Sequence, residues 1–252
     1  MKTLKSLFII TLLTQVLFGA SAEQVERYIS ISGAEEQLIE LESQFSQMQN
    51  SINQIKSDDA NEEYSYDMQL LSIRFREYLQ KNISEDEMDE ILVQYKNIVL
   101  LKLISVQNDT EYDQKEAADY MKTLQTEENA SVRMDLLEEI SETLFKKENI
   151  GILFDNLMKP LLLNSKNAKQ VDESVLKSSK EAYIKRKIES GRVETAYNTR
   201  EFTIEELEAL LKIVKTPAID HESKAVFGAT AYALKEFFLS MASRYDVSKH
   251  KR

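Results

Sequence analysis

The sequence predicts an all-α protein, a helical bundle built from two tandem and duplicated helical units. Three observations carry that expectation: a scarcity of turn formers, apolar residues recurring at helical spacing, and two helix starts of one design half a chain apart. Only 5 Gly and 2 Pro occur in 252 residues, whereas sandwiches, barrels and doubly wound sheets need a turn residue roughly every dozen positions. At 42% hydrophobic content the chain is too apolar to be disordered.

Met1 to Lys5 hold two lysines, Leu7 to Phe18 are dominated by Leu, Ile, Phe and Val, and Ala20-Ser21-Ala22 follows. This reads as a secretory signal peptide over residues 1–22, cleaved after Ala22. The apolar run falls short of the roughly 20 residues that span a bilayer, so no membrane anchor is expected after cleavage and the expected location is periplasmic. The chain has no Cys, which excludes disulfides, thiol catalysis and a lipidated cysteine.

Beyond the signal, helices are expected at about 34–56, 64–81, 111–124, 150–163 and 170–197, with a stripe of Val132, Leu136, Ile140 and Leu144 between them. Phe227, Ala231, Leu234, Phe238, Met241 and Tyr245 make one stripe on a long C-terminal helix expected to start near Ser223. Beside it run Ala225, Ala229 and Ala233, small enough for another helix to approach closely.

The two matching helix starts are Ile83-Ser84-Glu85-Asp86-Glu87-Met88 and Phe202-Thr203-Ile204-Glu205-Glu206-Leu207. In each, Ser84 or Thr203 caps the helix and Glu87 or Glu206 reaches back to the cap amide. An apolar pair, Ile83 with Met88 or Phe202 with Leu207, closes over the cap. At a constant offset of 119, Tyr78 also aligns with Tyr197, Ile91 with Leu210 and Leu92 with Leu211, and Gly33 precedes Gly151 by 118. The expected units are 23–128 and 129–252. Thr216-Pro217 should end or bend the helix begun at Thr203. The aligned Asn97-Ile98 carries no proline, so the first helix is expected to run unbroken to Val106.

The stretch from Phe202 to Leu207, continuing to Lys215-Thr216-Pro217, resembles the signature of the exported bacterial family called domain of unknown function 2059, an F-T-x-E-E-L helix start followed by an aromatic pair and S-P-x-G. Here Ile213-Val214 stands for the aromatic pair, Thr216-Pro217 for S-P and Ile219 for the glycine. The match lies mainly in the C-terminal half; the first half shares only the cap and Tyr95. The resemblance implies an exported all-helical protein and brings no catalytic residues.

Chemistry is sparse. His221-Glu222 opens like a zinc-protease helix, but Ala225 stands where the second histidine belongs. Neither a nucleophile elbow nor a phosphate-cradling glycine loop occurs, and Asp58 to Glu63 lack the glycine and ligand alternation of a calcium loop. Residues 23–128 hold 24 acidic and 9 basic side chains, and 129–252 hold 19 and 21; the acidic first half argues against nucleic acid. Lys180, Lys185, Arg186, Lys187 and Arg192 read as a solvated helix face. No catalytic residue, cofactor or metal site is therefore expected. The expected function is non-catalytic, that of a periplasmic interaction module or envelope accessory whose partner is another protein or a second copy of the chain. The alternative is a carrier of a hydrophobic small molecule held between helices by Phe227, Leu234, Phe238 and Met241, a stripe that otherwise reads as core packing.

Overall fold

Short polar side chains punctuate this chain. The computed structural model describes residues 19–54, 66–109, 113–126, 129–166 and 168–242. In order they form α1 Ala22–Ser32, α2 Ala34–Gln54, α3 Gln69–Asn82, α4 Glu85–Gln94, α5 Ile98–Asp109, α6 Gln114–Leu124, α7 Ala130–Leu144, α8 Lys147–Leu153, α9 Lys159–Leu163, α10 Glu173–Asn198, α11 Ile204–Val214 and α12 Pro217–Ala242. The protein is all-α, with no strand among the described residues. Residues 1–18 of the expected signal, the acidic segment 58–63 and Tyr245 lie outside them.

Ser21, Asp113 and Asp172 accept backbone N–H bonds at the starts of α1, α6 and α10, satisfying donors that a helix leaves free. Ala20 is buried and donates its amide to the Ile83 carbonyl at 2.7 Å, so the residues just before the expected cleavage point belong to the fold. Gly33, at φ +74°, makes the left-handed turn from α1 into α2. Gly151 does not match it, for it lies inside α8 without a positive φ. Pro160 sits in the helical run 147–163, and a π turn at Phe154–Met158 widens the helix just before it, where the proline ring would otherwise press on a preceding carbonyl.

Two expectations are corrected. The first-half helix does not run to Val106: α4 ends at Gln94 and α5 begins at Ile98. Asn97 makes the break, its Oδ1 accepting the Val99 amide at 2.9 Å and its carbonyl the Leu101 amide at 3.0 Å. An asparagine cap restarts a helix as well as a proline does. The C-terminal helix begins at Pro217, not near Ser223, with the Thr216 carbonyl accepting from Asp220 at 3.1 Å; proline is pre-set for the first helical position.

Two large apolar clusters and a small one around Phe154 and Leu162 form the core. One large cluster joins α1, α3 and α4 (Val25, Leu71, Leu79, Met88, Ile91) to Ala225, Ala229, Ala233 and Leu234 of α12. The other joins Leu100 and Leu103 of α5 to Leu137, Ile140, Leu207 and Leu210 of α7 and α11. Both draw on 23–128 and on 129–252, so packing is continuous across residue 128. The α3–α12 contact is the most extensive between helices. Gly228 permits it, since a Cβ there would meet the Tyr78 ring at 2.6 Å.

Candidate functional site

The two capped helix starts have the geometry their sequences imply. Glu87 Oε2 accepts the Ser84 amide at 2.9 Å while Ser84 Oγ accepts the Glu87 amide at 3.3 Å; the corresponding distances for Glu206 and Thr203 are 2.8 and 3.2 Å. Ile83 and Met88 are buried in the first core, Phe202 and Leu207 in the second. Each corner is then a short helix, a break and a second helix: α4 to α5, and α11 to α12.

The corners also reach across to one another. His221 of α12 lies with Nδ1 3.2 Å from Glu87 Oε1, and Lys102 of α5 donates to both Glu206 oxygens at 2.8 Å. Residues 102 and 221 are themselves 119 apart, as are 87 and 206. Each capping glutamate is thus met by a nitrogen base from the second helix of the opposite corner, the reciprocity of a two-fold interface within one chain.

Where α5 and the start of α12 meet α1 and α2 there is a pocket of about 300 Å³, the lower end of the range that holds small ligands. Five pairs at the offset of 119 line it: Tyr95 and Val214, Leu100 and Ile219, Leu103 and Glu222, Ile104 and Ser223, Gln107 and Val226. Tyr28, Leu38, Leu41, Phe75 and Phe227 close the rest. The wall is largely apolar.

Glu222 is its one carboxyl. It is only 7% exposed, and its Oε1 accepts the Tyr28 hydroxyl at 2.7 Å and the Tyr95 hydroxyl. The two rings pack edge to face, 5.7 Å between centroids. Burial pushes the Glu222 carboxyl up to about 7, with the two tyrosine bonds pulling the other way. The same burial, together with the neighbouring carboxylate, raises both tyrosine hydroxyls well above their ordinary value. Among the described residues no Lys, Arg or His lines the pocket. The arrangement provides a carboxyl that changes charge near neutral pH inside an apolar wall.

Of the expected carrier residues, Phe227 lines the pocket, whereas Leu234 is buried in the first core, Phe238 packs against that core and Met241 lies farther along α12. The stripe does not form one cavity. Phe237, outside it, is fully buried with its ring against Phe45 and Tyr66. In the basic run, Lys180 pairs with Asp155 at 2.6 Å and Arg192 with Glu138 at 3.7 Å. A second cavity of about 370 Å³ beside it is lined by Lys147, Glu181, Lys185 and Glu189 with Ile184 and Ile188, charges of both signs. Among the described residues no group of three His, Asp or Glu side chains is placed to hold a metal ion, and no helix is long and apolar enough to cross a membrane. No family model, no curated protein and no solved structure matches this chain.

Sequence reasoning passed over Tyr28, Tyr95 and Glu222 as a group. The partners of Glu222 stand 194 and 127 residues away in the chain, and no local pattern joins them.

Proposed function

We propose that this protein is a non-catalytic binding protein of the bacterial envelope that carries a small, mainly apolar molecule in the pocket around Glu222. The observation that supports this reading is the pocket itself: an apolar space at the seam between two equivalent corners, holding one buried acid without a counter-ion. The reading includes export with cleavage after Ala22, which removes the Ala20 bond to Ile83 and the Ser21 cap of α1 from the mature chain, kinship with the domain of unknown function 2059 family, and descent of the two corners from one duplicated hairpin. Catalysis is not part of it. Ser32, Ser223 and Thr230, the hydroxyls beside Glu222 in the wall, all donate to backbone carbonyls, and a nucleophile needs an adjacent base instead.

The test is native mass spectrometry of the mature chain purified without detergent, before and after incubation with a panel of alkyl compounds. A carrier gives a retained or added mass with a one-to-one ratio, and a melting temperature raised in proportion to occupancy. A bare mass throughout, with no thermal shift, removes the carrier and leaves the interaction module, whose readout is a co-purifying protein.

A further inference from the structure

Among the described residues only one of the two oxygens of Glu222 is bonded. Both tyrosine hydroxyls bond to Glu222 Oε1, and Oε2 takes no hydrogen bond from a described residue. A carboxylate accepts at both oxygens and forms its strongest bonds with cationic donors. Among the described residues no Lys, Arg or His lines the pocket, and none figures among the groups acting on the Glu222 carboxyl.

The equivalent position shows what packing alone asks for. Leu103 stands 119 residues before Glu222, and Val214 stands 119 after Tyr95; both lie in the second core and both line the pocket. An apolar pair fills that seam. Replacing both partners of a buried polar pair by apolar groups of suitable shape is close to neutral for stability. Folding therefore gives no reason for Tyr28, Tyr95 and Glu222 to be polar, and local departures of this kind gather at functional sites.

We propose that Glu222 Oε2 is the anchor for the protonated nitrogen of an aliphatic amine whose apolar tail lies along Leu100, Leu103, Ile219 and Phe227. The amine supplies the missing counter-ion, and its tail replaces water in the apolar remainder of the space. Tyr28 and Tyr95 act as positioning residues that hold Oε1 and turn Oε2 inward. The acidic surplus of residues 23–128, 24 side chains against 9 basic, draws cations toward this part of the molecule. Carboxylate-headed molecules of the same length are excluded by repulsion from Glu222. This assignment rests on the carrier reading and specifies its ligand class.

The experiment is calorimetric titration of the full mature chain with octylamine, 1-octanol and octanoate at about pH 8, where the amine is protonated and Glu222 is ionised. The wild type is expected to bind octylamine at least tenfold more tightly than octanol, with octanoate weakest. Glu222→Gln is expected to bind amine and alcohol alike. The double variant Tyr95→Val with Glu222→Leu, which copies the equivalent seam, should favour octanol. Equal binding of amine and alcohol by the wild type overturns the assignment while leaving the pocket as a carrier site. Retention of the amine preference in Glu222→Gln also overturns it. No binding of any probe by the wild type overturns both the assignment and the carrier reading. The wild-type comparison requires no variant, so it stands even where a substitution prevents folding.

Discussion

At the Ser84 corner the Ile83 carbonyl accepts the amide of Ala20, and at the Thr203 corner the equivalent Phe202 carbonyl accepts the guanidinium of Arg133. After α4 the chain restarts on Asn97; after α11 it restarts on Thr216-Pro217. Each corner breaks and restarts its helix with different partners, because what matters is that each freed donor and acceptor finds one. The corners part company at the seam, where Tyr95 of the first corner meets Glu222 of the second, while the positions 119 residues away, Val214 of the second and Leu103 of the first, are apolar. The comparison separates what builds the corner from what equips it.

Truncating the residues that close each corner tests their equivalence most severely. Met88→Ala and Leu207→Ala should each destabilise by about 2–5 kcal/mol in urea melts, since both side chains are fully buried. A small loss at one corner alone would break the equivalence.

Proline scanning sharpens it next. Leu101→Pro removes the amide bonded to Asn97 and should cost about 3 kcal/mol or more. Ile98→Pro should change stability by no more than about 0.5 kcal/mol. Ile98 is 80% exposed and occupies the first position of α5, where Pro217 stands in α12. The absence of proline from the first half made an unbroken helix the natural expectation; position 98 is instead a site where proline fits. Equal damage from both substitutions, read by thermal denaturation, would contradict the role given to Asn97.

The seam makes stability depend on pH. Glu222 has its carboxyl raised from 4.5 to about 7, so between those values the folded chain binds the proton more tightly than the unfolded chain. Its contribution is fully present below about pH 4.5 and is lost as pH rises through about 7, a span of about 3 kcal/mol. Glu87, held low first by the Ser84 amide, and Glu206, held low first by Lys102, act in the opposite sense, losing stability as the pH falls. Denaturant melts at several pH values should therefore show the neutral-range decline in wild type and its disappearance in Glu222→Gln. A decline of equal size in both would place its origin elsewhere.

The smallest effect is at the caps. Ser84→Ala and Thr203→Ala should each cost about 0.5–2 kcal/mol in thermal or urea melts, with Thr203→Ala also loosening the Lys102 contact to Glu206. No change in either would mean the two boxes do not begin their helices.

These caps were legible because a capping box is written in four adjacent residues, and the close approach of Ala225, Ala229 and Ala233 to α3 was legible from their spacing. Asn97 was missed because asparagine is as common in turns as at caps, and only the bonded Val99 and Leu101 amides distinguish the two. The stripe from Phe227 to Met241 divides between pocket and core because α12 buries more than one face. Packing on α3, α4 and α8 covers several, and Phe237 turns inward where periodicity placed Phe238. The Glu222 site was beyond reach for a different reason: its environment is made by helices far apart in sequence, and burial is not written at the residue itself.

The most direct measurement is a carbon-13 NMR titration of the glutamate carboxyls, with Glu222 assigned by the signal absent from Glu222→Gln. A desolvated carboxyl without a counter-ion predicts a midpoint near 7. A midpoint near 4.5, the ordinary value, would mean that water or a cation reaches Glu222 in the unliganded protein and would contradict the pocket described here.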